Sequence, residues 1–337
     1  MAETERANDA DLTVDDGRLA ARIAQIRGEQ LERVRRRLGT AIPTHVVSEE
    51  TLTAIAHDVR EAELLRVLND PAYPGVARTL AELGSGGGGG LIDKALRDVT
   101  RLVGAMWALY LDATPGGLTH SRLTALWEAS HTGGRTHAYA LLAWLQFLAY
   151  IEPAGEAPDD GRARLYRPTE RMRSAFRAYF TAQLRAIAPL RPEAAQVADR
   201  IGDPQVFARF VALTGEGLLA ATLLLRPQQP PPFNLISRRR SGLVMLWTLL
   251  LSAPQAGVWP PAGAFPVSVN DLARRSGVSR MHLQRLLDDT VRAGMLARGQ
   301  DGTVRVRSGL RREVNSFLAL LVVCLANTAR VAAADRP

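Results

Sequence analysis

Apolar residues recur along most of this chain at the spacing of an amphipathic helix, whereas the strict alternation that is typical of strands is scarce. Clusters of proline and glycine interrupt this helical pattern at residues 71–75, 84–90, 113–117, 153–161, 227–232 and 254–266. The pattern therefore predicts a mainly α fold with small β additions.

The predicted elements occur twice in the same order. In each half a long apolar helix is followed by a short helix, a turn, a longer helix, an arginine-rich hairpin and a terminal helix. The first series begins with Leu91–Asp112 and the second with Phe233–Ser252. We therefore expect two related units in one chain, with an N-terminal helical extension over residues 1–60, a first unit over 61–190 and a second over 191–337.

The segment Asn270–Leu287 carries the most specific pattern in the chain. Ala273 is small where a second helix would cross it, and Gly277 is free to adopt the left-handed conformation of a tight interhelical turn. Ser279 can cap the helix that follows. The outward positions of that helix are predicted to be Arg280, Met281, Gln284, Arg285 and Asp288.

A β-hairpin is predicted immediately after this helix, because Arg298, Arg305 and Arg307 flank a turn at Gln300–Gly302. Two helices followed by a basic hairpin resemble the winged helix-turn-helix of MarR-type transcriptional regulators over about residues 266–310. The resemblance implies double-stranded DNA as the partner. It places Ser279, Arg280, Met281, Gln284 and Arg285 in the major groove, and the three hairpin arginines along the phosphate backbone.

The first half resembles the same family more weakly, over residues 118–170. Its turn between the two helices is longer than in the family's pattern, and its helix presents Arg135, Thr136, Tyr139 and Ala140 at the matching positions. Its hairpin carries Arg162, Arg164 and Arg167. This face has fewer groups that read bases, so two alternatives stay open: binding to the DNA backbone with little sequence preference, or contact with a protein.

In MarR-type proteins, helices before and after the winged unit build a dimer interface. Here the apolar helices at the corresponding positions are Gly242–Leu251 and Val314–Ala334. The alternative is that these helices form a hydrophobic core within one half only. The fold class that we expect is two winged-helix units in an intrachain pseudo-dimer. One monomeric chain would then occupy one DNA site.

The charge of the chain agrees with a polyanionic partner. The net charge is +8, and it is uneven: residues 1–85 hold 15 acidic and 11 basic residues, whereas the rest of the chain has a balance of +12. Asp288 and Asp289 on the second recognition helix oppose this trend. Either that end of the helix tilts away from DNA, or Asp288 accepts a hydrogen bond from cytosine, or both acids are simply solvated.

Several classes of function are disfavoured by missing patterns. The sequence has none of the common hydrolase, zinc-protease or phosphate-loop motifs, so we expect no enzyme, no cofactor and no metal. The acidic first sixteen residues do not resemble a signal peptide, and neither of the two most apolar stretches reaches the roughly 20 residues of a membrane span. We expect a cytoplasmic protein associated with the bacterial nucleoid.

Two alternatives accompany the regulator hypothesis. A replication initiator can also carry two tandem winged helices, and winged helices in chromosome-organising complexes contact protein instead of DNA. The resemblance to MarR-type sensors further allows a small aromatic effector, bound by some of the aromatic residues, although core packing is the commoner role for them. These aromatic residues are Trp107, Tyr110, Trp127, Trp144 and Trp247.

Overall fold

A computed structural model of the chain describes residues 61–86, 99–129, 134–157, 160–224, 233–237, 239, 241–254 and 258–334. The helices in this part of the chain are α1 (Glu61–Asn69), α2 (Tyr73–Gly84), α3 (Val99–Asp112), α4 (His120–Ala129), α5 (Arg135–Phe147), α6 (Glu170–Ile187), α7 (Glu193–Arg200), α8 (Pro204–Leu224), α9 (Phe233–Ser237), α10 (Gly242–Leu251), α11 (Val269–Ser276), α12 (Arg280–Arg292) and α13 (Ser308–Ala334). The strands are β1 (Leu118–Thr119), β2 (Ile151–Ala157), β3 (Asp160–Pro168), β4 (Ala264–Pro266), β5 (Leu296–Arg298) and β6 (Thr303–Val306). The predicted mainly α fold with small β additions is confirmed.

The strands form two antiparallel sheets with the same strand order. The first is ordered β1-β3-β2 and the second β4-β6-β5, so a hairpin is joined in each by a short strand from earlier in the chain. Leu118 pairs with Tyr166 in the first sheet, and Ala264 pairs with Arg305 in the second. The order helix, strand, helix, helix, hairpin, helix therefore occurs from α3 to α6 and again from α10 to α13.

The prediction of a single helix across Phe233–Ser252 is wrong, because the helix is interrupted in its middle. The structure has α9 and α10 instead, separated by a turn in which Ser241 adopts a left-handed backbone with φ of 55°. The turn brings Gly242 against the backbone of α9, where a Cβ would collide with the carbonyl oxygen of Ile236. Glycine is therefore required at the start of α10, and the chain changes direction there.

The longest helix, α13, lies at the centre of the molecule. It packs against α1, α2, α6, α7, α8 and α9. Its Phe317 ring lies 5.2 Å from that of Phe233 and 6.1 Å from that of Trp247. The hydroxyl of Tyr73 on α2 donates to the carbonyl oxygen of Asn315 at 3.0 Å. The buried residues of both halves consequently form one continuous hydrophobic core.

Helix α13 also meets the length and hydropathy criteria for a membrane-spanning helix. By length and composition alone, the segment Ser308–Ala333 is long and apolar enough to cross a membrane. Half of its most apolar stretch is buried inside the protein. The core helix of a soluble protein meets the same criterion, so this helix is weak evidence for a membrane span.

The predicted N-terminal extension, residues 1–60, lies outside the described residues, as does the beginning of the helix predicted from Leu91. The first described helices, α1 and α2, cover surfaces that come from the second half of the chain. Both pack on α13, and α2 also packs on α10, where Gly84 leaves room for the ring of Trp247. The first helices of the first half therefore pack against helices of the second half.

Because α13 touches both halves, a cavity in it should destabilise both together. We expect Leu318→Ala, at a residue that is 1% exposed, to lower the free energy of unfolding by about 2–5 kcal/mol. Urea denaturation followed by circular dichroism measures this decrease. Hydrogen exchange should show reduced protection in both α3 and α12, whereas the exposed Arg312→Ala on the same helix should change neither. Reduced protection confined to α12 would contradict the shared core.

Candidate nucleic-acid interface

The turn between α11 and α12 has the geometry that the sequence predicts. Gly277 has a φ of 66°, and the N–H of Val278 donates to the carbonyl oxygen of Ala273 at 3.1 Å. The Ser279 hydroxyl then accepts a hydrogen bond from the N–H of His282 at 3.2 Å, which caps α12. The left-handed Gly277 and the Ser279 cap are both confirmed.

An apolar core fixes the two helices to the second sheet. The buried side chains are those of Phe265 on β4, Leu272 and Ala273 on α11, Leu283, Leu286 and Leu287 on α12, Leu296 on β5, and Val304 and Val306 on β6. Since α12 buries one face against this core, its opposite face is held towards solvent in a fixed orientation.

The outer face of α12 begins with three exposed residues, Arg280, Met281 and Arg285. Met281 is 64% exposed, which is unusual for a large apolar side chain. Neither arginine has a carboxylate within salt-bridge distance in the part of the chain that the structure describes. Two unpaired guanidinium groups are therefore available on this face to bind an anionic or hydrogen-bonding partner.

Gln284 and Arg298, in contrast, already have intramolecular partners. The side-chain amide of Gln284 donates to Asp288 Oδ1 at 2.9 Å, and Arg298 Nη1 lies 3.2 Å from the same oxygen. Arg298 Nη2 is 3.5 Å from Gln284 Oε1. This network ties β5 to α12 and leaves fewer donors of these two side chains available for a contact with DNA.

The two acids of α12 stay partly exposed to solvent, and both also form ion pairs with arginines. Asp288 lies 3.2 Å from Arg298, and Asp289 contacts Arg292 at 2.6 Å and Arg239 at 3.2 Å. The Arg292 pair follows from an i, i+3 spacing on the helix. The Arg239 pair depends on tertiary structure, because that arginine lies 50 residues earlier, between α9 and α10. These ion pairs reduce the repulsion of phosphate at the end of α12.

The second hairpin carries its unpaired arginines on β6 and just after it. Val304 and Val306 are buried, whereas Arg305 between them and Arg307 after them are exposed and have no salt bridge among the described residues. The turn is held by Asp301, whose carboxylate accepts hydrogen bonds from the Thr303 hydroxyl at 2.6 Å and its N–H at 3.1 Å. These bonds favour the ionised carboxylate, and they hold the pKa of Asp301 below its ordinary value.

The corresponding helix of the first half, α5, has a different surface. Arg135, Thr136 and Tyr139 are all exposed, as expected, and Tyr139 is 71% exposed. Farther along α5 lies Phe147, which is 78% exposed and ends the apolar stretch Tyr139–Phe147 that makes the protein-contact alternative conceivable. Periodicity could not show that Phe147 is exposed, because α5 is apolar on its outer face as well as on its inner face. The longer turn expected before α5 includes residues 130–133, which lie outside the described residues.

In the first hairpin, glutamates lie opposite two of the arginines. Arg164 and Arg167 are exposed, but Glu156 stands opposite Arg164 and Glu152 opposite Arg167 in the β2–β3 register. The side chain of Arg162 lies outside the described residues. Since directly opposite residues on two strands are close neighbours, carboxylates offset the positive charge of this hairpin. The second hairpin therefore has the stronger attraction for a polyanion.

The aromatic residues considered for an effector mostly lie in the core. Trp107, Tyr110, Trp127 and Trp247 are each at most 4% exposed. A separate open cavity of about 570 Å³ lies between the end of α10, the start of α11 and the turn of the second hairpin. Its lining includes Ser252, Ser268, Asp271, Arg275 and Gly302, and none of the five aromatic residues.

The molecule thus presents two similarly built units with different exposed chemistry: arginine and methionine on α12, tyrosine and phenylalanine on α5. Comparison with protein families, with curated proteins and with solved structures finds no match to this chain.

Proposed function

We propose that this protein is a sequence-specific DNA-binding transcriptional regulator, built from two winged-helix units in one chain. In this proposal α11 and α12 form the helix-turn-helix of the second unit, and the β5–β6 hairpin is its wing. The helices α4 and α5 and the β2–β3 hairpin form the first unit. The intrachain packing of α6 against α13 supports a pseudo-dimer, because it occupies the place that an intersubunit contact has in dimeric winged-helix proteins.

The observation that carries the proposal is the set of unpaired arginines on the second unit. Arg280 and Arg285 on α12, and Arg305 and Arg307 on the hairpin, are exposed and lack carboxylate partners among the described residues. A helix that inserts into the major groove needs exposed donors near its N-terminus, and arginine can donate two hydrogen bonds to guanine. A basic hairpin beside that helix can neutralise backbone phosphates.

The two units contribute unequally in this proposal. Apart from Arg135, the exposed residues on the outer face of α5 are apolar or carry a hydroxyl group, and the charges of the first hairpin are offset by glutamates. The α12 unit therefore carries the specific readout. Asp288 serves here as an internal acceptor that orients Gln284 and Arg298, in place of a bond to cytosine.

The first prediction concerns the hairpin. Replacing Arg305 and Arg307 by alanine should weaken binding to all DNA sequences alike and lower the salt slope of log K by about 1 for each phosphate that the hairpin no longer neutralises. Fluorescence anisotropy over a range of salt concentrations measures the slope. A matched control replaces Arg66 and Arg185, which removes the same charge from α1 and α6. An unchanged slope in the hairpin variant, or the same fall in the control, would exclude the hairpin as a backbone contact.

The second prediction concerns base recognition by Arg285. Arg285→Ala should cost about 1–3 kcal/mol on the selected site and much less on random DNA. Arg285→Lys keeps the charge but removes the planar pair of donors, so it should reduce specificity nearly as much. Equal decreases on both DNAs for alanine, together with full rescue by lysine, would make Arg285 a backbone contact.

The third prediction concerns the shape of the site. A dimer of identical units specifies two half-sites about 34 Å apart, related by a palindrome. Because the faces of α12 and α5 differ, selection from random DNA should instead return an asymmetric sequence with one strongly specified half-site. Native mass spectrometry on that single site should find one chain per duplex. Two equally specified half-sites for one chain would show that α5 reads bases too.

A further inference from the structure

Met281 lies at the centre of the exposed face of α12. The side chains that this helix buries are those of Leu283, Leu286, Leu287 and Thr290. At about 100° per residue, Met281 lies about 170° around the helix axis from their mean direction. Its side chain is 64% exposed. Met281 therefore extends away from the core, in the first turn of the helix.

The neighbours of Met281 on this face are polar or charged. Arg280 precedes it, and Arg285 lies one turn farther along the helix; both are exposed. On the other side of Met281 lie Gln284 and Asp288, and the amide of Gln284 donates to Asp288 Oδ1. Among the large apolar side chains that are exposed in the described part of the chain, Met281 is the only one on α12. This pattern differs from the centre of a protein interface, which is depleted in charged residues.

The proposed function turns this face towards the major groove, where Met281 needs an apolar partner. The N-terminal residues of a recognition helix contact base edges, and Met281 is the second residue of α12. A thioether has no donor and is a weak acceptor, so burying a polar base edge against it costs free energy. The apolar group that base edges display in the major groove is the C5 methyl group of thymine. Thymine is therefore the base that fits Met281.

Arg285 determines where this thymine should lie. Met281 and Arg285 are four residues apart on the helix, so their Cβ atoms are about 5–6 Å apart. Successive base pairs are about 3.4 Å apart along the duplex. When Arg285 binds a guanine, the methyl group that contacts Met281 is therefore expected within about two base pairs of that guanine.

We propose that Met281 is a specificity-determining residue that recognises the C5 methyl group of a pyrimidine in the major groove, close to the guanine that Arg285 binds. Thymine carries this methyl group, and 5-methylcytosine carries it at the same ring position. The recognised group is the methyl itself, whichever of the two bases supplies it. This inference rests on the proposed function and names part of the sequence that the α12 unit reads.

Deoxyuridine substitution tests the methyl contact. The probe is the duplex that selection from random DNA returns, with each thymine of the specified half-site replaced in turn by deoxyuridine, which lacks only the methyl group. One replacement near the guanine that Arg285 specifies should weaken binding about fourfold, the value of one buried methyl group. Fluorescence anisotropy measures the affinities. No effect at any thymine, or a half-site without thymine near that guanine, overturns the proposal.

Variants of Met281 separate a direct contact from an effect on DNA shape. Met281→Ala should bind the thymine and uracil duplexes equally, because it lacks the partner of the methyl group, whereas Met281→Leu should keep the difference. The matched control is Leu65→Ala on α1, which truncates another exposed apolar side chain, 48% exposed, and should keep the full difference. A uracil effect that persists in Met281→Ala would mean that the methyl acts through DNA shape or stiffness, which overturns the role of Met281.

Cytosine methylation distinguishes the two sources of the methyl group. The thymine–adenine pair that responds to deoxyuridine is replaced by a cytosine–guanine pair, with or without a C5 methyl group on the cytosine. The methylated duplex should bind about fourfold more tightly, because the two duplexes differ by that methyl group alone. The gain should be absent in Met281→Ala. Equal affinities of the wild-type protein for the two duplexes would overturn recognition of the methyl itself.

The outcomes also separate this inference from the proposed function. Sequence-specific binding without any effect of the methyl group overturns the role of Met281 and leaves the regulator proposal intact. Absence of all DNA binding overturns the proposed function, and the role of Met281 with it. Circular dichroism of each variant checks that the change in affinity does not come from loss of folding.

Discussion

The arrangement of this molecule depends on the burial of one apolar helix. With 27 residues, α13 is too long for the elements from α10 to β6 to cover, and its buried positions extend from Leu310 to Ala332. Helices from the beginning and the middle of the described chain, between α1 and α9, supply the cover. Because apolar burial is the main favourable term in folding, this requirement brings the two units together and fixes the directions in which α5 and α12 face.

The local features of the second unit could be predicted from sequence, because each depends on a residue type with a specific conformational property. Gly277 provides a left-handed turn and Ser279 provides a cap, whatever the rest of the chain does. The break between α9 and α10 could not be predicted in this way. It results from the close approach of Gly242 to Ile236, and a glycine inside an apolar run does not reveal such a contact.

The candidate site was predictable in its position but not in its electrostatics. The sequence alone does not distinguish Arg285 from Arg298, since both are arginines next to a predicted recognition surface. The structure separates them, because Arg298 has Asp288 as a partner and Arg285 has no salt bridge within the described residues. Likewise, only the strand register shows that Glu152 and Glu156 oppose the first hairpin's arginines. Pairing between elements, not composition, decides which positive charges are available.

The position of α13 in the sequence has a consequence for synthesis. The ribosome makes α1, α2, α7 and α8 well before the helix that buries their apolar faces, and at about 5–20 residues per second the delay is on the order of ten seconds. During that interval the nascent chain carries exposed hydrophobic surface from its first described helix onward. The native core can therefore be completed only after α13 emerges from the ribosome, and until then the exposed apolar surface is prone to aggregation.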